Sequence, residues 1–167
     1  VDELVDAGMK FVVFSQYTSM LAVIEKYLGQ RGIDFCSLQG GMSTSIRQKM
    51  INRFNEDPAC SAFVASLLAG GVGVDLTAAQ AVIHYDRWWN SAKEEQATAR
   101  VHRMGQKHVV QSFRLITQGT LEEKIHRLID SKKELAEAVI QVDDASIIKR
   151  LDRRELAELF HFQSITP

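Results

Sequence analysis

The stretch SAFVASLLAGGVGVDLTAAQAVIHY, residues 61–85, holds two short apolar runs on either side of a glycine-rich loop. Ser61 to Ser66 and Ala81 to Tyr85 are too short for helices and suit buried strands. Outward from them, Lys10 to Ser15 (KFVVFS) and Ile33 to Leu38 are runs of the same kind, and His108 to Ile116 alternates as a fifth. Helical periods fill the gaps. Tyr17 to Gln30 carries Met20, Leu21, Ile24, Tyr27 and Leu28 and stops at Gly29 and Gly32. Ser43 to Asn55 carries Ile46, Met50, Ile51 and Phe54. Ser91 to about Met104 opens on a capping box of Ser91 and Glu94, and Thr120 with Glu123 opens a helix to about Ile140. Asp152 with Glu155 caps a short last helix. Strand and helix in alternation, with short connections, predict a parallel sheet covered on both faces, a three-layer α/β fold. Ligands of such sheets sit beyond the carboxyl ends of the strands. The loops after Ser15, Leu38, Ser66, Tyr85 and Ile116 are therefore the candidate places. No internal repeat, low-complexity segment or linker is visible, and the chain after Gly119 reads as a helical appendage.

Length and composition agree with one domain. The chain has 167 residues, 46% hydrophobic and 25% charged, which excludes a disordered or collagen-like polymer. A chain this long buries roughly 70% of its unfolded surface. No apolar run approaches the ~18 residues of a membrane span, and the start is unlike a signal peptide. Cys36 and Cys60 make no disulfide framework, so a reducing compartment is expected, and the chain from Val1 to Pro167 is expected to be cut from a longer protein. Net charge is −1, but it is unevenly spread. Residues 1–86 carry 6 basic and 9 acidic side chains, residues 87–133 carry 10 and 5, and residues 134–167 carry 4 and 7. A basic middle between acidic ends suggests a local anion site.

Three groups of residues could carry chemistry. Gly70, Gly71 and Gly73 follow the third strand, where they could expose backbone N–H groups to an anion or simply make a tight turn. The loop is neither a dinucleotide fingerprint, since Leu76 occupies the third glycine position, nor a Walker A loop, since no Gly-Lys-Ser/Thr occurs. Gln96, Arg100 and Arg103 are spaced by four and three, on one face of a helix. Paired guanidiniums fit phosphate oxygens, although a solvated face with Glu94, Glu95, Glu122 or Glu123 as partners is the plainer account. Trp88 and Trp89 cannot both point into one core, so one of them is exposed or lies at an interface, where it could pack on nucleic acid. His84, His102, His108, His126 and His161 lack zinc-ligand spacing and read as structural or surface residues, so no metal site is expected. Lys132 and Lys133 read as a solvated face.

Taken in order, these segments resemble one family. They are Phe11–Gln16 (FVVFSQ), Leu38–Gly41 (LQGG), Ser66–Ala79 (SLLAGGVGVDLTAA), Val82–Asn90 (VIHYDRWWN) and Glu95–Gln106 (EQATARVHRMGQ). The set is similar to the C-terminal helicase lobe of the SWI/SNF-type DNA translocases, in helicase superfamily two. The resemblance covers about residues 9–135.

The resemblance implies a RecA-like lobe over residues 1–118, P-loop NTPase-like but without the P-loop, and a brace-like helical extension over 119–167. It implies an ATP-dependent double-stranded DNA translocase, whose N-terminal lobe in the same polypeptide holds most of ATP and Mg. A strand-separating helicase lobe and a non-catalytic nucleic-acid-binding module are the alternatives. Arg103 matches the family's arginine finger and Arg100 its companion, with Gln96 beside them. Gly71, Gly73 and Asp75 match the motif that couples nucleotide to DNA. Ser15, Gln16, Gln39 and Gly40 match motifs near the DNA backbone, and Trp88, Trp89 and Asn90 the segment after the coupling strand. Leu68, Ser91 and Ala99 depart from a frequent lysine, proline and acidic residue respectively. The implied compartment is the bacterial cytoplasm, or the nucleus in a eukaryote, and the isolated lobe is expected to be inactive.

Overall fold

In the computed structural model of the chain, residues 1–66, 74–88, 91–102, 109–136 and 153 are described. Five parallel strands form one sheet in the order β2-β3-β1-β4-β5. They are β1 (Phe11–Ser15), β2 (Phe35–Leu38), β3 (Ala62–Ser66), β4 (Ala81–His84) and β5 (Gln111–Arg114). β1, β3 and β4 are buried at every residue, which is why their sequences show no polar alternation.

The helices are α1 (Asp2–Asp6), α2 (Thr18–Gln30), α3 (Thr44–Glu56), α4 (Ser91–Thr98) and α5 (Leu121–Ala136). Successive residues of β1 serve two cores. Phe11 and Val13 pack with Leu4 of α1 and with Leu21, Ile24 and Leu28 of α2. Val12 and Phe14 pack with Ile51 and Phe54 of α3 and with Ala97 of α4. This is the expected three-layer α/β fold. The free thiols of Cys36 and Cys60 lie in the second core, sulfurs 3.3 Å apart, and burial pushes the Cys60 thiol up to about 12.

The ends of the elements have identifiable causes. Ser43 caps α3 by accepting the amide of Ile46 at 3.4 Å. Lys10 Nζ closes the other end of α3, donating to the carbonyls of Phe54 and Asp57 at 2.5 and 2.7 Å. α2 runs through Gly29 and stops where Gly32 turns to φ +68°, with Ile33 donating to the Leu28 carbonyl at 3.0 Å. Thr120 Oγ1 accepts the amide of Glu122 at 3.3 Å, and the Glu123 carboxylate takes that of Gly119 at 2.8 Å, fixing the start of α5.

One helix is added and two expectations change. α1 is not visible in the sequence, since five residues hold too little periodicity. β5 is limited to four residues, all exposed, at the sheet edge. α4 ends at Thr98 rather than near Met104, and its last turn tightens, with Arg100 and Val101 donating to the carbonyls three residues back. α5 is described to Ala136, and the rest of its expected run to about Ile140 lies outside the described residues. Of the short helix expected from Asp152, only Arg153 is described, and it is helical. Among the described residues no helix is long and apolar enough to cross a membrane.

Candidate functional site

β1 and β4 are neighbours, but the helix after β1 covers one face of the sheet and the helix after β4 the other. Their carboxyl ends therefore flank a crevice, the usual ligand position in an open parallel sheet. Asp86 ties the two loops together. Its carboxylate accepts the Ser15 hydroxyl, and its Oδ1 accepts the backbone N–H of Gln16 at 3.1 Å. Burial pushes the Asp86 carboxyl up, and those two hydrogen bonds oppose the push. The Gln16 side chain donates to the Arg87 carbonyl at 3.1 Å.

Ser15 is thus wholly buried, with its hydroxyl hydrogen committed to Asp86. It holds the loop from inside and offers no exposed surface to DNA. Gln16 is half-buried and keeps one side-chain N–H beyond the bond to Arg87. On the far side of the sheet, Gln39 donates to Glu25 Oε1 at 3.0 Å, beside Ser37, which donates to the same oxygen at 2.5 Å. Gly40 is exposed, with open space where a Cβ would stand, and Gly41 has φ +85°. The turn thus needs a glycine at 41 and leaves room for a side chain at 40.

The loop after β4 is anchored by a buried carboxylate. Glu94, in the first turn of α4, accepts the Trp88 amide on Oε1 at 2.9 Å and Arg87 Nη1 on Oε2 at 2.6 Å. Arg114 Nε of β5 reaches the same Oε2 at 3.3 Å. The side chains of Glu94 and Arg87 are 1% and 2% exposed, that of Arg114 38%. The carboxylate expected to close a local capping box is therefore the hub of a long-range cluster. Trp88 is buried, at 7% exposure, with the Lys93 ammonium 4.9 Å from its ring centroid. It is the inward member of the tryptophan pair, which does not fit its expected place facing DNA.

His84 lies under this cluster, fully buried and stacked on Phe14 with centroids 5.9 Å apart. Thr98 donates its one hydroxyl hydrogen to the Glu94 carbonyl at 3.0 Å. It must therefore accept from His84 Nε2, also at 3.0 Å, which leaves Nδ1 as the bare nitrogen of a neutral ring. Burial, then Arg114 and Arg87, push His84 down to about 4.

Gln96 is exposed and Arg100 half-buried at the far end of α4. Three of the four carboxylates expected to neutralise this face are occupied elsewhere, and the fourth, Glu95, is exposed. Glu94 holds Arg87 and Arg114, Glu122 accepts the Thr117 amide at 3.1 Å, and Glu123 pairs with Arg127 at 2.5 Å. Among the described residues, Arg100 has no ion-pair partner. Because α4 ends at Thr98, α-helical spacing does not by itself align Arg100 with Arg103. Arg103 lies outside the described residues, as do Gly71, Gly73, Trp89 and Asn90. Asp75 is exposed, and its carbonyl accepts Asn55 Nδ2 at 2.9 Å.

Asp86, Arg87, Glu94, Arg114 and Asn55 are the site residues that sequence reasoning missed. Only the charge of Asp86-Arg87 beside a strand end, and of Glu94 on an otherwise solvated helix, hinted at them. Among the described residues no group of three or more His, Cys, Asp or Glu could hold a metal ion. A half-buried guanidinium without an ion-pair partner among the described residues presents a fixed positive charge suited to an anion.

The family described as helicase conserved C-terminal domain matches residues 1–105. An uncharacterised ATP-dependent helicase of Mycoplasma pneumoniae is 37% identical over 160 residues, which are 96% of this chain and 15% of that protein's length. The SWI2/SNF2 ATPase core domain of Sulfolobus solfataricus superposes with a TM-score of 0.80 at 35% identity, over 98% of this chain and 33% of that one. The same core in complex with double-stranded DNA gives 0.78 at 34% identity, over 98% and 34%. The sheet of five parallel strands with its flanking helices thus has its counterpart in these structures, and the chain belongs to the helicase conserved C-terminal domain family as a RecA-like lobe of the SWI2/SNF2 type.

Proposed function

We propose that the chain is the second motor lobe of an ATP-dependent double-stranded DNA translocase. A first lobe of the same polypeptide would supply the Walker lysine and the acidic metal ligands. The observation that carries this reading is Arg100, half-buried, beside exposed Gln96 and without an ion-pair partner among the described residues. A guanidinium cannot shed its proton, so a half-buried one wants an anion. The likeness to an ATPase core in complex with double-stranded DNA supports ATP phosphate as that anion and DNA as the ligand of the remaining loops.

ATP with Mg supplies the phosphoryl group. The rest falls to this chain. Arg100 and Arg103 present fixed positive charge to the oxygens on which charge develops during transfer, where such a residue can be worth ~10³–10⁵ in rate. Gln96, exposed on α4, lies one turn before Arg100. Gln16, Gln39 and Gly40 offer N–H donors to the DNA backbone, while Ser15 and Trp88 act from the interior by holding their loops. Gly71, Gly73 and Asp75 carry movement between the nucleotide and DNA sides, and Trp89 and Asn90 extend the DNA side. Residues 119–167 form a brace on the lobe that ends at 118.

The test is turnover by the two-lobe protein with and without linear double-stranded DNA, beside displacement of a third strand from a triplex. The expected result is DNA-stimulated hydrolysis and triplex displacement without separation of the duplex. Unwinding of a forked duplex would favour a strand-separating helicase, and no turnover at all a non-catalytic module. The 167-residue chain alone should hydrolyse no ATP, because it lacks both Gly-Lys-Ser/Thr and Asp-Glu-x-His.

A further inference from the structure

Glu94 joins α4 to the loop after β4 and to β5. Its carboxylate holds the guanidinium of Arg87 and the amide of Trp88, both from the loop after β4, and Arg114 from β5. Its own carbonyl accepts Thr98 Oγ1 at 3.0 Å, and that hydroxyl is bonded to His84 of β4. Arg87 continues the path, since its carbonyl accepts the side chain of Gln16 from the loop after β1. A continuous set of hydrogen bonds therefore runs from Gln16, through Arg87, to Glu94 at the start of the helix that leads to Arg100.

A charge this deeply buried is costly unless it is fully paired. With Arg87 at 2% exposure, the carboxylate and guanidinium have no water to fall back on, so the pair has one good geometry and resists small displacements. Solvent-exposed pairs such as Arg127 with Glu123 do not constrain their elements in this way.

We infer that Glu94 is a positioning residue that holds the loop of Arg87 and Trp88 in register with α4, so that movement at the Gln16 loop is passed to Arg100. The inference rests on the motor-lobe reading for its consequence, though not for its geometry. At 1% exposure, the Glu94 side chain has no surface to offer nucleotide or DNA. It acts through the elements it fastens.

Two measurements test it, on Glu94→Gln, which keeps the shape and an acceptor for the Trp88 amide but removes the charge. In the 167-residue chain carrying Trp89→Phe, Trp88 is the only tryptophan, and its acrylamide quenching reports whether the loop stays closed. Quenching should rise about twofold while far-ultraviolet dichroism is unchanged. In the two-lobe protein, kcat at saturating ATP and DNA should fall about tenfold, with the Kd of each ligand within about threefold of wild type. Unchanged quenching, kcat within about twofold of wild type, or a loss confined to ATP Kd would each overturn the inference. Should Glu94→Gln not fold, Arg87→Lys retains the buried charge and is read in the same two ways. It should show the same pattern at about threefold in kcat, and wild-type behaviour in both readouts would overturn the inference. A wild-type two-lobe protein without DNA-stimulated turnover would sink the motor-lobe reading alone, and Trp88 quenching would still decide whether Glu94 holds the loop.

Discussion

The amide of Leu76 donates to the carbonyl oxygen of Arg100 at 3.1 Å. The chain leaving the glycine-rich loop is thereby fastened to the turn that carries the first of the two arginines. A second fastening lies on the other side. Asn55, near the end of α3, donates to the Asp75 carbonyl at 2.9 Å and accepts the Ala78 amide at 3.2 Å. Residues 75–78 are thus clamped between α3 and the end of α4, and the tight last turn of α4 is the conformation that presents the Arg100 carbonyl to Leu76.

Asn55→Ala removes both of its bonds at once while leaving the cores untouched. Each hydrogen bond contributes about 1 kcal/mol net, so the chain should lose about 1–2 kcal/mol. Urea unfolding should show a lower midpoint with an unchanged slope. A loss below about 0.3 kcal/mol would mean that the loop holds its place without the clamp.

In the two-lobe protein, Arg103→Ala should abolish most turnover and leave ATP binding nearly intact, because the finger acts on charge that develops only during transfer. Arg103→Lys should rescue little, since an ammonium lacks the planar fork. Arg100→Ala should also be severe, because it removes a fixed charge from lobe closure as well as from the chemistry. The measurement is kcat beside nucleotide Kd in saturating DNA. If Arg103→Ala kept more than about a tenth of kcat, less than ~1.4 kcal/mol of transition-state stabilisation would be at stake, too little for a finger.

Gly40 and Gly41 separate folding from binding. A Cβ at either position meets nothing within 4 Å, but Gly41 has φ +85°. Gly41→Ala should therefore cost about 1–2 kcal/mol in backbone strain, measured as a lower melting temperature. Gly40→Ala should leave the melting temperature within about a degree of wild type, yet weaken DNA binding by the two-lobe protein severalfold if the backbone of residue 40 meets a phosphate closely. Equal DNA Kd values for wild type and Gly40→Ala would remove Gly40 from the interface.

The fold was legible because its decisive segments are short and buried on both faces. Phe11–Ser15 and Ala62–Ser66 admit no other reading once helices are seen between them. Periodicity also located the inner faces of α2 and α3, through Leu21, Ile24, Leu28, Ile51 and Phe54. What stayed hidden depends on contacts far along the chain. Glu94 satisfies the local rule for a capping box, so its partners at positions 87 and 114 could not be foreseen. The end of α4 at Thr98 is unmarked by glycine or proline, and the turn that follows it is held by the amide of Leu76, 24 residues before the Arg100 carbonyl that accepts it. Adjacent tryptophans indicate that one side chain turns inward, but only packing under Lys93 says that it is Trp88.

His84 provides a pH test of the core beneath the site. Its folded-state value is pushed down to about 4 by burial first, and then by the charges of Arg114 and Arg87. In the unfolded chain it titrates near ~6.5. As pH falls below that value, the unfolded chain takes up a proton that the folded chain refuses. The contribution is therefore full above pH ~6.5, declines as pH falls toward about 4, and is constant below that. It amounts to at most about 3 kcal/mol. Asp86 works in the opposite sense, because its carboxyl is pushed up, so a single pH curve would mix the two. Comparing wild type with His84→Gln cancels Asp86, and the glutamine amide can still donate to Thr98. Urea unfolding of both proteins at pH 7.5, 6 and 5 should show wild type losing stability faster than the variant as the pH falls. Parallel curves would mean that His84 binds its proton in the folded chain as readily as in the unfolded one, and that its ring is not neutral in the core.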